Sequence, residues 1–179
     1  MLSKPEQNLI KIYEKSLREN WASEAVTDYG TSNTLTYAQL AENIAKLHLL
    51  FEKAGIEQGD KVAVMGKNNA NWVTTFLATV TYGAVIVPIL QDFKANDAIH
   101  IVNHSESKLL FMGDNFWDDI EGDQIPGINA VFSLTDFHVI YEKEGDKLTQ
   151  YMKNMLIHYR QAYPNGFTKD DISYPEVAN

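Results

Sequence analysis

Hydrophobic positions recur along this chain in two rhythms: every three to four residues, and in short unbroken runs. Leu9, Ile10, Tyr13 and Leu17 fall at helical intervals behind Ser3 and Glu6, which have capping-box spacing, so a first helix is predicted there. Ala25 to Tyr29 and Thr34 to Thr36 flank Gly30-Thr31-Ser32-Asn33, the pattern of a short β-hairpin near 25–36. Leu40, Ile44, Leu47 and Phe51 then make an apolar stripe. Thr36 and Gln39 are placed to cap that helix, and Gly55 to supply the left-handed residue that ends it. Each large side chain on such a stripe contributes roughly 1.5–3 kcal/mol on burial. A Leu47→Ala change is expected to cost about 2–5 kcal/mol, readable as a shift in the denaturation midpoint.

Unbroken runs follow. Lys61 to Met65 does not alternate, which suits a strand buried on both faces. Trp72, Val73, Phe76, Leu77 and Val80 make a helical face expected to be core, and Ala84 to Leu90 reads as a second buried strand. Pro88 cannot donate to a ladder, so it is expected at that strand's end or on an irregularity. Ala98, Ile101, Val102 and Ser105 mark a short helix, Lys108 to Met112 a strand, Asn115 to Ile120 one or two helical turns, and Asn129 to Leu134 another strand. His138 to Glu142 reads as a further strand and Glu144-Gly145-Asp146 as a turn. Leu148, Met152, Met155, Leu156 and Tyr159 predict one final amphipathic helix. Strand and helix thus alternate at least three times between residues 36 and 120, the signature of an open, doubly wound, mostly parallel α/β sheet with helices on both faces. Residues 1–162 form this α/β unit, and 163–179, aperiodic and carrying Pro164, Gly166 and Pro175, read as an exposed connector.

Composition narrows the partners more than it changes the fold. The 179 residues are 45% hydrophobic and carry a net charge of −9. A surface this acidic repels phosphate backbones, and no basic patch offsets it, so nucleic acid is not an expected partner. The chain has no cysteine, which excludes disulfides, thiolate metal sites and a cysteine nucleophile and points to a reducing cytoplasm. The longest apolar run, Gly83 to Leu90, falls far short of the roughly 20 residues that span a bilayer, so no transmembrane segment is expected.

Candidate chemistry is sparse. Gly55-Ile56-Glu57-Gln58-Gly59-Asp60-Lys61 is the nearest approach to a phosphate loop, but it precedes a strand, whereas a phosphate cradle lies between a strand and its helix. It reads as an αβ turn. Asp97, His100 and His104 can share one helical face as metal ligands do, yet no glutamate stands between the histidines, and His104 sits where the helix dipole favours it. Trp117-Asp118-Asp119 with Glu121 and Asp123 lacks the ligand pattern of a calcium loop and reads as a solvated acidic stretch.

Taken in series, several segments resemble the adenylate-forming enzymes that include the acyl-CoA synthetases. Leu35-Thr36-Tyr37-Ala38-Gln39-Leu40 is similar to that family's first core motif. The likeness continues through Gly55 to Ala63 and Asn68-Asn69-Ala70-Asn71-Trp72, and ends in Ala78 to Pro88, similar to the second core motif. Gln91-Asp92-Phe93 and Ile101 to Glu106 most resemble the long-chain fatty acyl branch. The resemblance implies the N-terminal part of the large domain of a long-chain fatty acid–CoA ligase. Such an enzyme uses ATP, Mg2+ and CoA, joins a carboxylate to ATP as an acyl-adenylate, and then passes the acyl group to the CoA thiol.

The family's Ser/Thr/Gly-rich phosphate loop is expected soon after Asp170-Asp171-Ile172, and the sequence stops at Asn179 without it. The matching segments are scaffold, so no catalytic, cofactor-binding or metal-binding residue is assigned. The expectation is a chain catalytically incompetent alone, whose partners are the remainder of the same polypeptide and, in the whole enzyme, fatty acid, ATP and CoA. Self-association of the fragment, a cytoplasmic location and peripheral membrane association of the whole enzyme complete that expectation. The alternative is a free-standing α/β small-molecule-binding or scaffold module.

Overall fold

The computed structural model describes residues 8–29, 31, 33–145 and 147–175. In chain order it runs α1 (Leu9–Glu19), β1 (Glu24–Thr27), β2 (Thr34–Thr36), α2 (Tyr37–Lys53), β3 (Lys61–Met65), α3 (Ala70–Tyr82), β4 (Val85–Ile89), α4 (Ala95–Ser105) and β5 (Ser107–Met112). Two short 3-10 turns, Asp114–Asp119 and Gly122–Gln124, lead to β6 (Ala130–Ser133), β7 (Val139–Glu142), α5 (Lys147–Lys153) and α6 (Met155–Ala162), and a third spans Lys169–Asp171. β1 and β2 pair antiparallel as the expected hairpin, while the main sheet has the order β4-β3-β5-β6-β7. Its first three pairings are parallel and the last, β6 with β7, is antiparallel.

Strand alternation divides the core into two layers, because successive side chains point to opposite faces. Val62, Val64, Leu109, Phe111 and Phe132 face a layer built by α1, α2, α3, α5 and α6. Ala63, Met65, Leu110, Met112 and Val131 face α4 and the 3-10 turns. The doubly wound sheet with helices on both faces is therefore the observed architecture. α2 is capped as its sequence predicts: Thr36 accepts from the Gln39 N–H, the Gln39 side chain returns to the Thr36 N–H, and Gly55 at φ +69° turns the chain out. Leu47 on its stripe is 2% exposed.

Four expectations are corrected and a fifth is refined. The Ser3–Glu6 cap lies outside the described residues, and α1 is capped instead by Asn8, which accepts from the Ile10 N–H. On α3 the fully buried positions are Ala70, Thr74, Thr75, Ala78, Thr79 and Thr81, while Trp72, Val73, Phe76, Leu77 and Val80 are only half-buried. Small residues let α3 lie close to α2 and the sheet, and the four threonine hydroxyls donate to carbonyls one turn back at 2.6–2.8 Å, so no polar group is stranded.

β4 is a sheet edge rather than a buried strand: Val85 is 47% exposed, and Pro88 sits within the strand, in register with Val64. An edge tolerates proline because its missing N–H faces no partner. The final helix is two helices, broken at Asn154, whose side chain turns back to the Gln150 carbonyl. Residues 163–175 are mostly exposed, as expected of a connector, but the segment is not loose: Phe167, Ile172 and Tyr174 are buried in the layer that holds α1 and α2. These three apolar anchors are spaced irregularly, so periodicity carries no sign of them.

Candidate functional site

In an open α/β sheet, ligands bind beyond the carboxyl ends of the strands, where the strand order reverses. Here the chain leaves β3 for β4 on one side and then reaches β5 on the other, so the reversal lies between β3 and β5. The loops around it are Gly66 to Asn69 after β3, Gly113 after β5 and Leu134 after β6, with the N-terminus of α3 at the mouth.

The protein's own groups fill that crevice. The Gly113 N–H donates to the Met65 carbonyl at 3.1 Å, drawing the two loops together. A Cβ on Gly66 would lie 2.7 Å from the tip of the Leu134 side chain, so a larger residue there would push that side chain aside. The amide of Asn69 and that of Asn71 both donate to the Leu134 carbonyl, at 3.3 and 3.0 Å, fixing the third loop.

A helix N-terminus at such a crevice is a ready seat for phosphate, since its first N–H groups lack helical partners. On α3 that seat is taken. The Ala70 N–H donates to the Asp28 carboxylate at 2.6 Å, and the Trp72 N–H to the Asn69 side chain at 2.8 Å. Asp28 comes from the far end of β1, 42 positions away in sequence, which is why no local pattern revealed it. Asn69, three residues before Trp72, has ordinary N-cap spacing, a local signal that the sequence reading did not use.

Two hollows remain beside the filled crevice. One, of about 450 Å³, lies at the ends of β3 and β4, walled by Trp72, Pro88 and Leu90, with Lys67, Gln91 and Asp92 at its rim. The other, of about 310 Å³, lies on the opposite side of the sheet end between Phe93, Lys94, Asn115 and Phe116. A third, more apolar groove of about 360 Å³ separates α1, β1 and α3, where Tyr13, Val26, Tyr37 and Phe76 line it. Trp72 and Phe76 stack there at 5.6 Å. Trp72, Pro88 and Leu90 give the first hollow an apolar wall with a polar rim, and the groove is more apolar still, a composition nearer that of ligand pockets than of bond-making centres.

The residues singled out from sequence are scattered. The Gly55–Lys61 turn lies at the amino end of β3, opposite the crevice, as an αβ turn. There, against the opposing push of burial, the Lys108 ammonium at 2.6 Å and the Glu57 N–H hold the Asp60 carboxyl below its ordinary range. His100 and His104 stack on α4 with ring centroids 5.8 Å apart, and Asp97 lies in the first turn of the same helix. Among the described residues, no three His, Cys, Asp or Glu side chains converge as metal ligands. Asp118, Asp119, Glu121 and Asp123 are exposed, and Trp117 packs on Tyr141 at 5.3 Å. Among the described residues, no helix is long and apolar enough to cross a membrane.

Comparison with known proteins places this framework. The sequence pattern of the family described as "AMP-binding enzyme" matches residues 13–174. The putative acyl–CoA ligase YdaB of Bacillus subtilis is 29% identical over 114 residues, 64% of this chain and 22% of that protein. The fatty acid–[acyl-carrier-protein] ligase ScoC of Streptomyces coeruleorubidus is 32% identical over 88 residues, 49% of this chain and 17% of that protein. Among solved structures, the anthranilate CoA ligase AuaEII in complex with anthranoyl-AMP superposes with a TM-score of 0.65 at 21% identity, over 70% of this chain and 24% of that one. The N-terminal domain of FACL13 from Mycobacterium tuberculosis does so with a TM-score of 0.63 at 21% identity, over 80% of this chain and 35% of that one. The chain therefore spans between about a sixth and a third of these relatives, and at such identities the superpositions speak for the fold alone. With its pattern matched along nearly its whole length, the chain belongs to the AMP-binding enzyme family.

Proposed function

We propose that this chain is the N-terminal scaffold portion of an ATP-dependent acyl–CoA ligase acting on long-chain fatty acids in the cytoplasm. In the complete reaction the substrate carboxylate attacks the α-phosphorus of ATP, forming an acyl-adenylate and releasing pyrophosphate. The CoA thiol then attacks the acyl carbonyl, forming the thioester and releasing AMP. Mg2+ would accompany ATP, and the groups that hold it belong to the remainder of the polypeptide.

One observation carries this division of labour: the crevice between β3 and β5 is occupied by Asp28, Asn69 and Leu134, so the usual phosphate seat of such a sheet is unavailable to a nucleotide. Charge developing at the α-phosphate calls for preorganised donors, and an N-terminus neutralised by an internal carboxylate is a poor one. The fatty acyl assignment is supported by Gln91-Asp92-Phe93 and by Ile101 to Glu106, and by the fatty acid ligase among the relatives.

The test is ATP–pyrophosphate exchange with a panel of long-chain fatty acids and aryl acids, run on the purified 179-residue chain. No exchange and no stoichiometric ATP binding by titration calorimetry are expected. Robust exchange, or tight ATP binding, would overturn the scaffold reading. In a longer polypeptide carrying this chain, exchange driven by aryl acids in preference to fatty acids would overturn the substrate class alone.

A further inference from the structure

The polar stripe of α1 grips the main chain of the segment that returns at the far end of the sequence. Lys11, Glu14 and Arg18 stand on one face of the helix, three and four residues apart. The Lys11 ammonium donates to the Tyr174 carbonyl at 3.1 Å and to Glu14 Oε2 at 3.0 Å. The Tyr174 N–H donates to the same carboxylate oxygen at 3.3 Å. Arg18 pairs with Glu14 Oε1 at 3.2 Å and donates to the Ile172 carbonyl. Glu14 has only 14% of its side chain exposed, against 41% for Lys11 and 42% for Arg18. It is the hub through which both cations are aimed.

All three grips fall on backbone atoms, so the side chains of the returning segment are left to anchor it. Ile172 is fully buried, and the Tyr174 ring meets the His48 imidazole edge-on at 5.7 Å. The Tyr174 hydroxyl is buried and, among the described residues, has no hydrogen-bond partner. The ring therefore holds by packing, and the polar fixation of this segment rests on α1.

We propose that Glu14 is a positioning residue, which by orienting Lys11 and Arg18 turns α1 into a main-chain clasp on residues 172–174 and so sets the direction of the chain at Pro175. The family pattern ends on the clasped residue, Tyr174. That the fixed direction serves a following phosphate-binding segment rests on the function proposed above; the clasp itself does not. A charge-assisted network of this kind defines a local unit that opens before the sheet does.

Amide hydrogen exchange on the intact chain tests this. Glu14→Gln keeps the shape but presents an NH2 donor to one of the two cations. It is expected to speed exchange across residues 167–174 by about tenfold, leaving Lys61–Met65 and Ser107–Met112 unchanged. Arg18→Met should do the same, and Arg18→Lys should recover most of the protection. Tyr174→Phe, which removes only a hydroxyl that has no partner among the described residues, should leave exchange as it is. Strap exchange altered less than about twofold by Glu14→Gln, or accelerated equally in the sheet, overturns the clasp. So does Arg18→Lys matching Arg18→Met, or faster strap exchange in Tyr174→Phe. These readings involve no nucleotide, so the clasp and the scaffold function fail independently.

Discussion

His48 ties α2 to α3: its Nε2 lies 3.0 Å from the Ala78 carbonyl and 3.1 Å from the Thr81 hydroxyl, with Tyr82 and Tyr174 packed edge-on to the ring. Burial disfavours the imidazolium and pushes its pKa from 6.5 down to about 4, although the Ala78 carbonyl pulls the other way. The unfolded chain therefore takes up this proton more readily than the folded one. Stability from His48 is complete above pH 6.5 and is lost as the pH falls towards about 4, up to a ceiling of about 3 kcal/mol. Urea denaturation across that window should show a declining midpoint. His48→Gln should flatten the decline while lowering stability at neutral pH, and an unchanged slope in that variant would remove His48 as its source. Tyr174 meets the same buried environment, which raises its phenol and keeps it neutral throughout this range.

At the scale of elements, what the sequence disclosed and what it hid have separate physical causes. α2 was legible from end to end, because its cap, stripe and terminating glycine are all encoded within its own residues. The strands β3 and β5 were legible for the same reason, as apolar runs bounded by turns. α3 misled, because burial there is decided by how closely a helix approaches its neighbours: four threonines that satisfy their own hydroxyls went inside, and the larger side chains were left at the margin. The filled crevice was illegible for a third reason, since it depends on Asp28 meeting Ala70 across the fold. That contact makes its own prediction. Asp28→Ala should lower stability by about 1–2 kcal/mol, as loss of a helix N-terminal carboxylate does. It should also open the seat, so sulfate at matched ionic strength should raise the variant's melting temperature more than it raises that of the parent chain. Equal responses would show that Asp28 was not holding an anion's place.

For the whole molecule, the sheet's two edges differ in kind. β7 closes one side antiparallel, its last residue Glu142 capping α5 through the Leu148 and Thr149 N–H groups. β4 leaves the other side open, with Val85 at 47% exposure at its start and Leu90 at 67% just past its end, the half-buried Trp72 beside Leu90. The Val85 N–H turns inward to the Asp60 carbonyl at 2.8 Å, so strand alternation turns Ile86 and Pro88 outward, and proline deletes one of the donors a pairing strand would need. Such an edge resists strand addition while still presenting apolar surface, which suits contact with side chains from a further layer of protein. When this chain is purified by itself, the apolar surface available to cover that edge is a second copy's. Sedimentation velocity should therefore show concentration-dependent association that Leu90→Lys weakens. Pro88→Val restores an outward N–H and should strengthen the association, adding β-sheet signal in the far-ultraviolet. A chain that stays monomeric at high concentration, in both the parent and Pro88→Val, would mean that the β4 side is a finished surface, and the scaffold reading would lose its structural motive.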